Sequence, residues 1–344
     1  MTGALRGGSD GLVITWQNVR RRTTQPWPTG RTNAAEVQMS SMTPSGGLVM
    51  SAADLGIDHA LFANVFMFGN GKGGVGKTTL TGNAAAKSAR EGLRTLAIDV
   101  NGQGNLRREL GYGEQDEGEA FAQSMRSGTP LVPLTGVREN LDVVVGGRKV
   151  RDLNDIFVSI ATSQGPLPAF LRLAQCLQPL LPKYDAVFID SPPENPNLLI
   201  MCLAAARWLV TPVKSDSASL EDGLKDIASS FGMVKSQINP MLTLLGVVHF
   251  ASPRNATGIH KDVEERAKKI LGKVSHTFDT VIGQSEKAAE LARRPGFFCP
   301  VYELHERRKA GERSIPEAAT ALSEDHDALT IEIFERAQML RSAT

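Results

Sequence analysis

The residues whose spacing carries the most chemistry are Gly71-Lys72-Gly73-Gly74-Val75-Gly76-Lys77-Thr78-Thr79. Glycines at this spacing let consecutive backbone N–H groups curl around an anion, Lys77 adds a point charge, and the Thr78 hydroxyl can join a divalent cation. The expected ligand is a phosphate chain with its metal. A glycine turn that only links two elements has no reason to end in Gly-Lys-Thr. Two further segments deliver side chains at the ends of apolar runs. Thr95 to Leu106 reads TLAIDVNGQGNL, which puts Asp99 and Asn101 at a strand end, and Tyr184 to Pro193 reads YDAVFIDSPP, which does the same for Asp190. A carboxylate so placed can hold a metal ion. Taken alone, either aspartate is equally a turn former.

Such a cradle needs a strand before it and a helix after it. Asn64 to Gly69 reads as the strand and Lys77 to Glu91 as the helix. Further strands are expected at Thr95 to Val100, Leu141 to Val145, Ala186 to Asp190, Trp208 to Val213, Leu242 to Phe250 and Ser275 to Val281. Helical stretches fall near Ala169 to Gln178, Leu198 to Ala206, Leu220 to Lys235, Asp262 to Leu271, Gln284 to Ala292 and Pro316 to Leu340. The alternation predicts an α/β fold with a doubly wound, mostly parallel sheet, whose carboxyl edge is where ligands bind. Residues 61–344 are read as this one domain. Residues 1–60 are rich in Gly, Ser, Thr and Pro, carry Arg20, Arg21 and Arg22, and are read as a flexible basic tail. An organellar transit peptide and a later translation start at Met39, Met42 or Met50 are the other readings of that segment.

Bulk properties exclude more than they select. With 38 basic against 37 acidic residues, any contact with nucleic acid must come from a local patch. Cys176, Cys202 and Cys299 form no CxxC pair, which argues against a disulfide framework or a zinc site. The six histidines show no ligand-like spacing. The apolar run from Leu198 to Val210 is too short for a membrane span and contains Arg207.

The segment Asn70 to Thr79, with its second lysine at Lys72, resembles the deviant Walker A motif of the ParA and MinD group of P-loop ATPases. The resemblance implies ATP and Mg²⁺ as cofactors, with Gly71, Lys72, Gly73, Gly74, Val75, Gly76, Lys77, Thr78 and Thr79 around the nucleotide and Pro212 near its base. In that group the extra lysine reaches across a homodimer to the other subunit's phosphates, so Lys72 is expected to act in trans and Lys77 in cis. The second segment resembles the group's DxDPQGN motif. Asp99, Gln103, Gly104 and Asn105 match, but Asn101 stands where the family has the aspartate that orients the attacking water, and Gly102 where it has proline. The resemblance therefore places Asn101 at the catalytic position and implies slow hydrolysis. The third segment is similar to the family's YDxxxIDxPP stretch, which makes Asp190, with Thr78 and Asp99, the expected metal-side set. The likeness runs from about Asn64 to Leu340 and is thin between Arg108 and Glu139.

Between Arg254 and Arg313 there are 13 Lys or Arg against 9 Asp or Glu, which a solvated helical face explains as well as a DNA surface does. ParA proteins bind DNA without sequence preference through basic residues in this region, so the resemblance points to Lys287, Arg293 and Arg294, although Gln284 replaces a frequent arginine. It further implies a ParB-like centromere-binding partner, a cytoplasmic, nucleoid-associated location and a role in plasmid or chromosome partition. Two alternatives remain: a MinD-like membrane-associated positioning ATPase, and a nucleotide-binding dimerisation switch with little turnover. The final helix has the apolar residues of an amphipathic anchor, but its acidic residues oppose anionic lipid, so packing on the sheet and no membrane contact are expected.

Overall fold

The computed structural model describes residues 50–343 apart from Glu114, Pro193, Glu194, Ser215 and Asp216. Of the tail expected at residues 1–60, residues 1–49 lie outside the described residues. Its expected boundary falls inside packed chain, however. Two short 3₁₀ turns, Ala53–Leu55 and His59–Phe62, flank Ile57, and both Ile57 and Phe62, the last residue of the second turn, are buried in the core.

Short apolar runs without alternation are what strands covered on both faces require. Seven strands form one sheet: β1 (Val65–Phe68), β2 (Thr95–Asp99), β3 (Leu134–Arg138), β4 (Leu141–Val144), β5 (Ala186–Asp190), β6 (Trp208–Val213) and β7 (Thr243–His249). Their order is β3-β4-β2-β5-β1-β6-β7, and every pairing except the antiparallel β3–β4 is parallel. Each residue of β1, β2, β5 and β6 is buried. The helices are α1 (Lys77–Arg90), α2 (Leu106–Leu110), α3 (Glu119–Ser127), α4 (Leu153–Gln164), α5 (Pro166–Leu177), α6 (Pro196–Ala204), α7 (Ser217–Gln237), α8 (Thr257–Leu271), α9 (Glu286–Ala292), α10 (Val301–Lys309) and α11 (Ala318–Ser342).

Alternation along the strands sorts the two faces. Val65, Met67, Leu96, Ile98, Val187 and Ile189 join a core cluster with α3 to α7, whereas α1 and α11 pack together on the opposite side. There Phe334 of α11 meets the rings of Phe66 and Phe188 at centroid distances of 5.1 and 6.3 Å. The last helix thus spends its apolar residues on the sheet, as its acidic composition suggested. Among the described residues no helix is long and apolar enough to cross a membrane.

Two expectations need correction. Ser275 to Val281 is not a strand: among the described residues it meets β7 through one isolated bridge, Val247 to Thr277, with a second, Ser252 to Gly283, just past both segments. The Glu332 carboxylate accepts the amides of Asp279 and Thr280 at 2.8 and 3.1 Å, which takes these donors out of any ladder. Conversely, β3 went unassigned because it is a weak edge strand. Its residues are exposed or half-buried, Gly136 has φ 68°, and its register against β4 is irregular. Helices α2, α3, α4 and α10 were also unassigned.

Candidate functional site

The glycine loop crosses from the end of β1 to the start of α1 with left-handed backbone at Gly74 (φ 73°) and Gly76 (φ 93°). At Gly76 a side chain is excluded twice over, since a Cβ would lie 2.5 Å from the Phe250 ring. Asn70 anchors the loop: its Nδ2 donates to the Pro212 carbonyl at 2.8 Å, and its Oδ1 accepts the Lys72 amide at 2.9 Å. The amides of Gly73, Gly74, Val75 and Gly76 donate to no other backbone group among the described residues, which leaves a row of donors for an anion. Lys77 is 6% exposed, and its ammonium donates back to the carbonyls of Lys72 (2.7 Å) and Asn70 (3.2 Å). Lys72 points elsewhere. Its Nζ is half-exposed and lies 3.9 Å from an Asp222 carboxylate oxygen.

Asp99 and Asp190 end the adjacent strands β2 and β5 in register with each other, and both are wholly buried. Asp99 is tied down, accepting the Asn101 amide at 3.0 Å and the Leu106 amide at 3.1 Å. Gly146 lies against it, so close that a Cβ there would come within 2.5 Å of the carboxyl carbon. Asp190 is the opposite case: among the described residues neither carboxylate oxygen accepts a hydrogen bond of good geometry, although the Thr78 hydroxyl lies close enough to lower its pKa as a donor. Burial first, and the facing Asp99 second, push the Asp190 carboxyl well above the ordinary carboxylate range. The Thr78 hydroxyl and the Lys77 ammonium pull the other way. Burial likewise pushes Asp99 up to about 7. Two desolvated carboxyls side by side, one of them poorly satisfied, fit a cation that would satisfy both.

Asn101 is buried, and its Oδ1 accepts the Gln103 amide at 3.0 Å, a local turn that leaves its Nδ2 as the remaining polar group. It lines an open cleft of about 690 Å³ with Gly73, Gly74, Gly76, Lys77, Thr78 and Thr79, a volume suited to a nucleotide-sized ligand. Gly71, Lys72, Val75 and Pro212 do not line it, nor do Asp99 and Asp190, which are wholly buried. Pro212 lies buried in β6 and acts on the loop through its carbonyl.

The cleft wall adds two residues that the motifs did not signal. Phe250, just past β7, covers Gly76. Glu109 on α2 is 3% exposed, accepts the Thr79 hydroxyl at 2.8 Å, and lies 3.8 Å from Arg293. Burial raises its pKa against the lowering effects of Arg293 and Thr79. Nothing local in Leu106-Arg107-Arg108-Glu109-Leu110 marks that role; only the tertiary approach of α1 does.

The three basic residues singled out are divided. Arg293 lines the cleft beside Glu109, whereas Lys287 and Arg294 are exposed, with no ion pair among the described residues. Several neighbouring cations are already matched: Arg254 with Asp325 at 2.5 Å, Arg266 with Asp262 at 3.0 Å and Arg307 with Glu312 at 2.8 Å.

Comparison with known proteins finds relatives of this chain. A family model described as an AAA domain matches residues 63–244. The chromosome partitioning protein ParA of Myxococcus xanthus is 31% identical over 244 residues, covering 70% of this chain and 82% of that protein. The chromosome-partitioning ATPase Soj of Thermus thermophilus is 32% identical over 221 residues, covering 64% and 81%. Among solved structures, pNOB8 ParA superposes with a TM-score of 0.61 at 18% identity, covering 80% of this chain and 98% of its own. With a phosphate-type cradle, paired strand-end carboxylates and these relatives, the chain belongs to the ParA family of partition ATPases.

Proposed function

We propose that the protein is an ATP-dependent DNA-partitioning ATPase that closes as a nucleotide-sandwich homodimer, binds DNA without sequence preference and answers to a ParB-like centromere-binding partner. The observation that carries the nucleotide reading is the wholly buried carboxylate of Asp190, poorly satisfied beside Asp99, on the strand next to the one that leads into a glycine loop with unused amides. Thr78, Asp190 and Asp99 would hold Mg²⁺, which when bound offsets phosphate charge. Gly71 to Thr79 would cradle the phosphates, and Lys77, now turned onto the loop carbonyls, would swing to them. Among the described residues the Lys72 ammonium is held by one long, exposed contact with Asp222, so little opposes its reaching a second subunit.

Asn101 keeps the position beside the phosphates but supplies an amide rather than a carboxylate, so turnover is slow and the closed dimer long-lived. DNA contact falls to exposed cations, Lys287 and Arg294 first. One relative in the solved set is pNOB8 ParA bound to nonspecific DNA, which supports a sequence-independent surface here. Cosedimentation with unrelated duplexes, with and without ATP, tests the reading. Binding should require ATP, ignore sequence, and weaken with salt by about 0.9 in log K per neutralised phosphate for each unit of log[salt]. Sharp sequence preference or a flat salt response would contradict it.

A further inference from the structure

Away from the nucleotide cleft, Arg172 on α5 is a buried cation without a counter-charge among the described residues. It is 8% exposed, its Nε is sealed from solvent with no hydrogen-bond partner, and it makes no ion pair with any described residue. A guanidinium taken out of water and left unpaired is costly unless an anion completes it. Arg172 instead lines an open pocket of about 320 Å³ between the ends of α3 and α4, α5 and the 3₁₀ turn at residues 53–55.

The remaining lining suits an anion. Arg126 adds a second cation at the mouth, Gln164 and Gln175 add neutral amide donors, and no carboxylate is among the lining residues. The floor is shaped for the arginine. Gly128, in left-handed conformation at φ 72°, lies where a Cβ would come 2.0 Å from an Arg172 terminal nitrogen. The end of α3 supplies no acceptor to the Arg172 Nε either: the Gly128 amide goes to Ser124 O and the Ser127 hydroxyl to Gln123 O, and among the described residues no α3 carbonyl takes a hydrogen bond from that Nε. On the other side Leu55, Ile57, Pro168 and Leu171 form an apolar wall.

We infer that this pocket binds a small organic anion, its carboxylate or phosphate head on the Arg172 guanidinium and its apolar body against Leu55, Ile57, Pro168 and Leu171. Guanidinium forks match both head groups in bidentate geometry.

The test is thermal unfolding of the full chain titrated with succinate and, separately, with inorganic phosphate. Wild type, Arg172→Met and the exposed-site variant Arg126→Glu are compared, together with Lys77→Ala to remove phosphate held at the glycine loop. At concentrations well above Kd, at least one anion should raise the Tm of wild type and of Lys77→Ala by about 2–4 °C. That rise should vanish in Arg172→Met and in Arg126→Glu. Succinate response alone assigns a carboxylate ligand, and phosphate response alone a phosphorylated one. The inference is overturned if neither anion stabilises Lys77→Ala, or if Arg126→Glu responds as wild type does. Arg126→Glu keeps the test decisive should Arg172→Met fail to fold.

Discussion

The loop and strand ends around Lys77 and Asp190 treat charge differently from the basic stretch around α8 to α10. At the first, charges are few, buried and left incomplete: among the described residues Asp190 accepts no hydrogen bond of good geometry, and two carboxyls face each other with raised pKa values. At the second, charges are many and exposed, yet Arg254, Arg266 and Arg307 are matched by acidic neighbours. Counting charges along the chain overstates the second region and understates the first. Deficits in buried pairing, rather than totals, mark where a ligand's charge is to be met.

The contrast breaks most visibly at Lys77. Replacing it with alanine should weaken ATP binding by at least roughly 30-fold in equilibrium titration, since losing one partner of a desolvated charge pair costs about 2–5 kcal/mol. Lys72→Ala should leave that affinity within a few-fold while removing ATP-dependent dimerisation in light scattering. An ATP-dependent dimer in Lys72→Ala would remove the trans role.

A smaller change sharpens the comparison from within the cleft. Asn101→Asp should raise single-turnover ATP hydrolysis by roughly 10- to 100-fold, at or just below the roughly 10²- to 10⁴-fold that a positioned general base contributes, because the amide already keeps part of the positioning. The new carboxylate can keep the turn to the Gln103 amide with one oxygen and offer the other to water. Rapid hydrolysis by the wild type, unchanged in the variant, would show that residue 101 does not face the water.

The smallest effects belong to the basic stretch. Lys287→Ala and Arg294→Ala should each lower DNA affinity only a few-fold and reduce the salt slope by about 1. Arg307→Ala should hardly move either, because its guanidinium is already engaged by Glu312. If Arg307 proves as important as Arg294 in fluorescence anisotropy, the unpaired-cation argument fails on this face.

Much of the architecture was readable because its signals are local. Strands buried on both faces demand unbroken apolar runs, so β1, β2, β5 and β6 stand out, and a glycine loop ending in Gly-Lys-Thr marks its own place between strand and helix. Elements whose existence depends on partners were not readable. The segment 275–281 has strand-like residues but gives two amides to Glu332, more than fifty positions away. Edge strand β3 forms despite weak propensity because β4 lies beside it.

The same division holds at the candidate site. The sequence by itself determined the cradle, the lysines within it and the two strand-end aspartates, because backbone conformation and strand termination are written in neighbouring residues. Only the tertiary structure decided that Asp99 and Asp190 end in register, that Phe250 lies over Gly76, that Glu109 reaches Thr79, and that Arg293 turns into the cleft while Arg294 stays outside. Those relations join segments far apart in the chain, and it is sheet order and helix packing, not local propensity, that bring their side chains within reach.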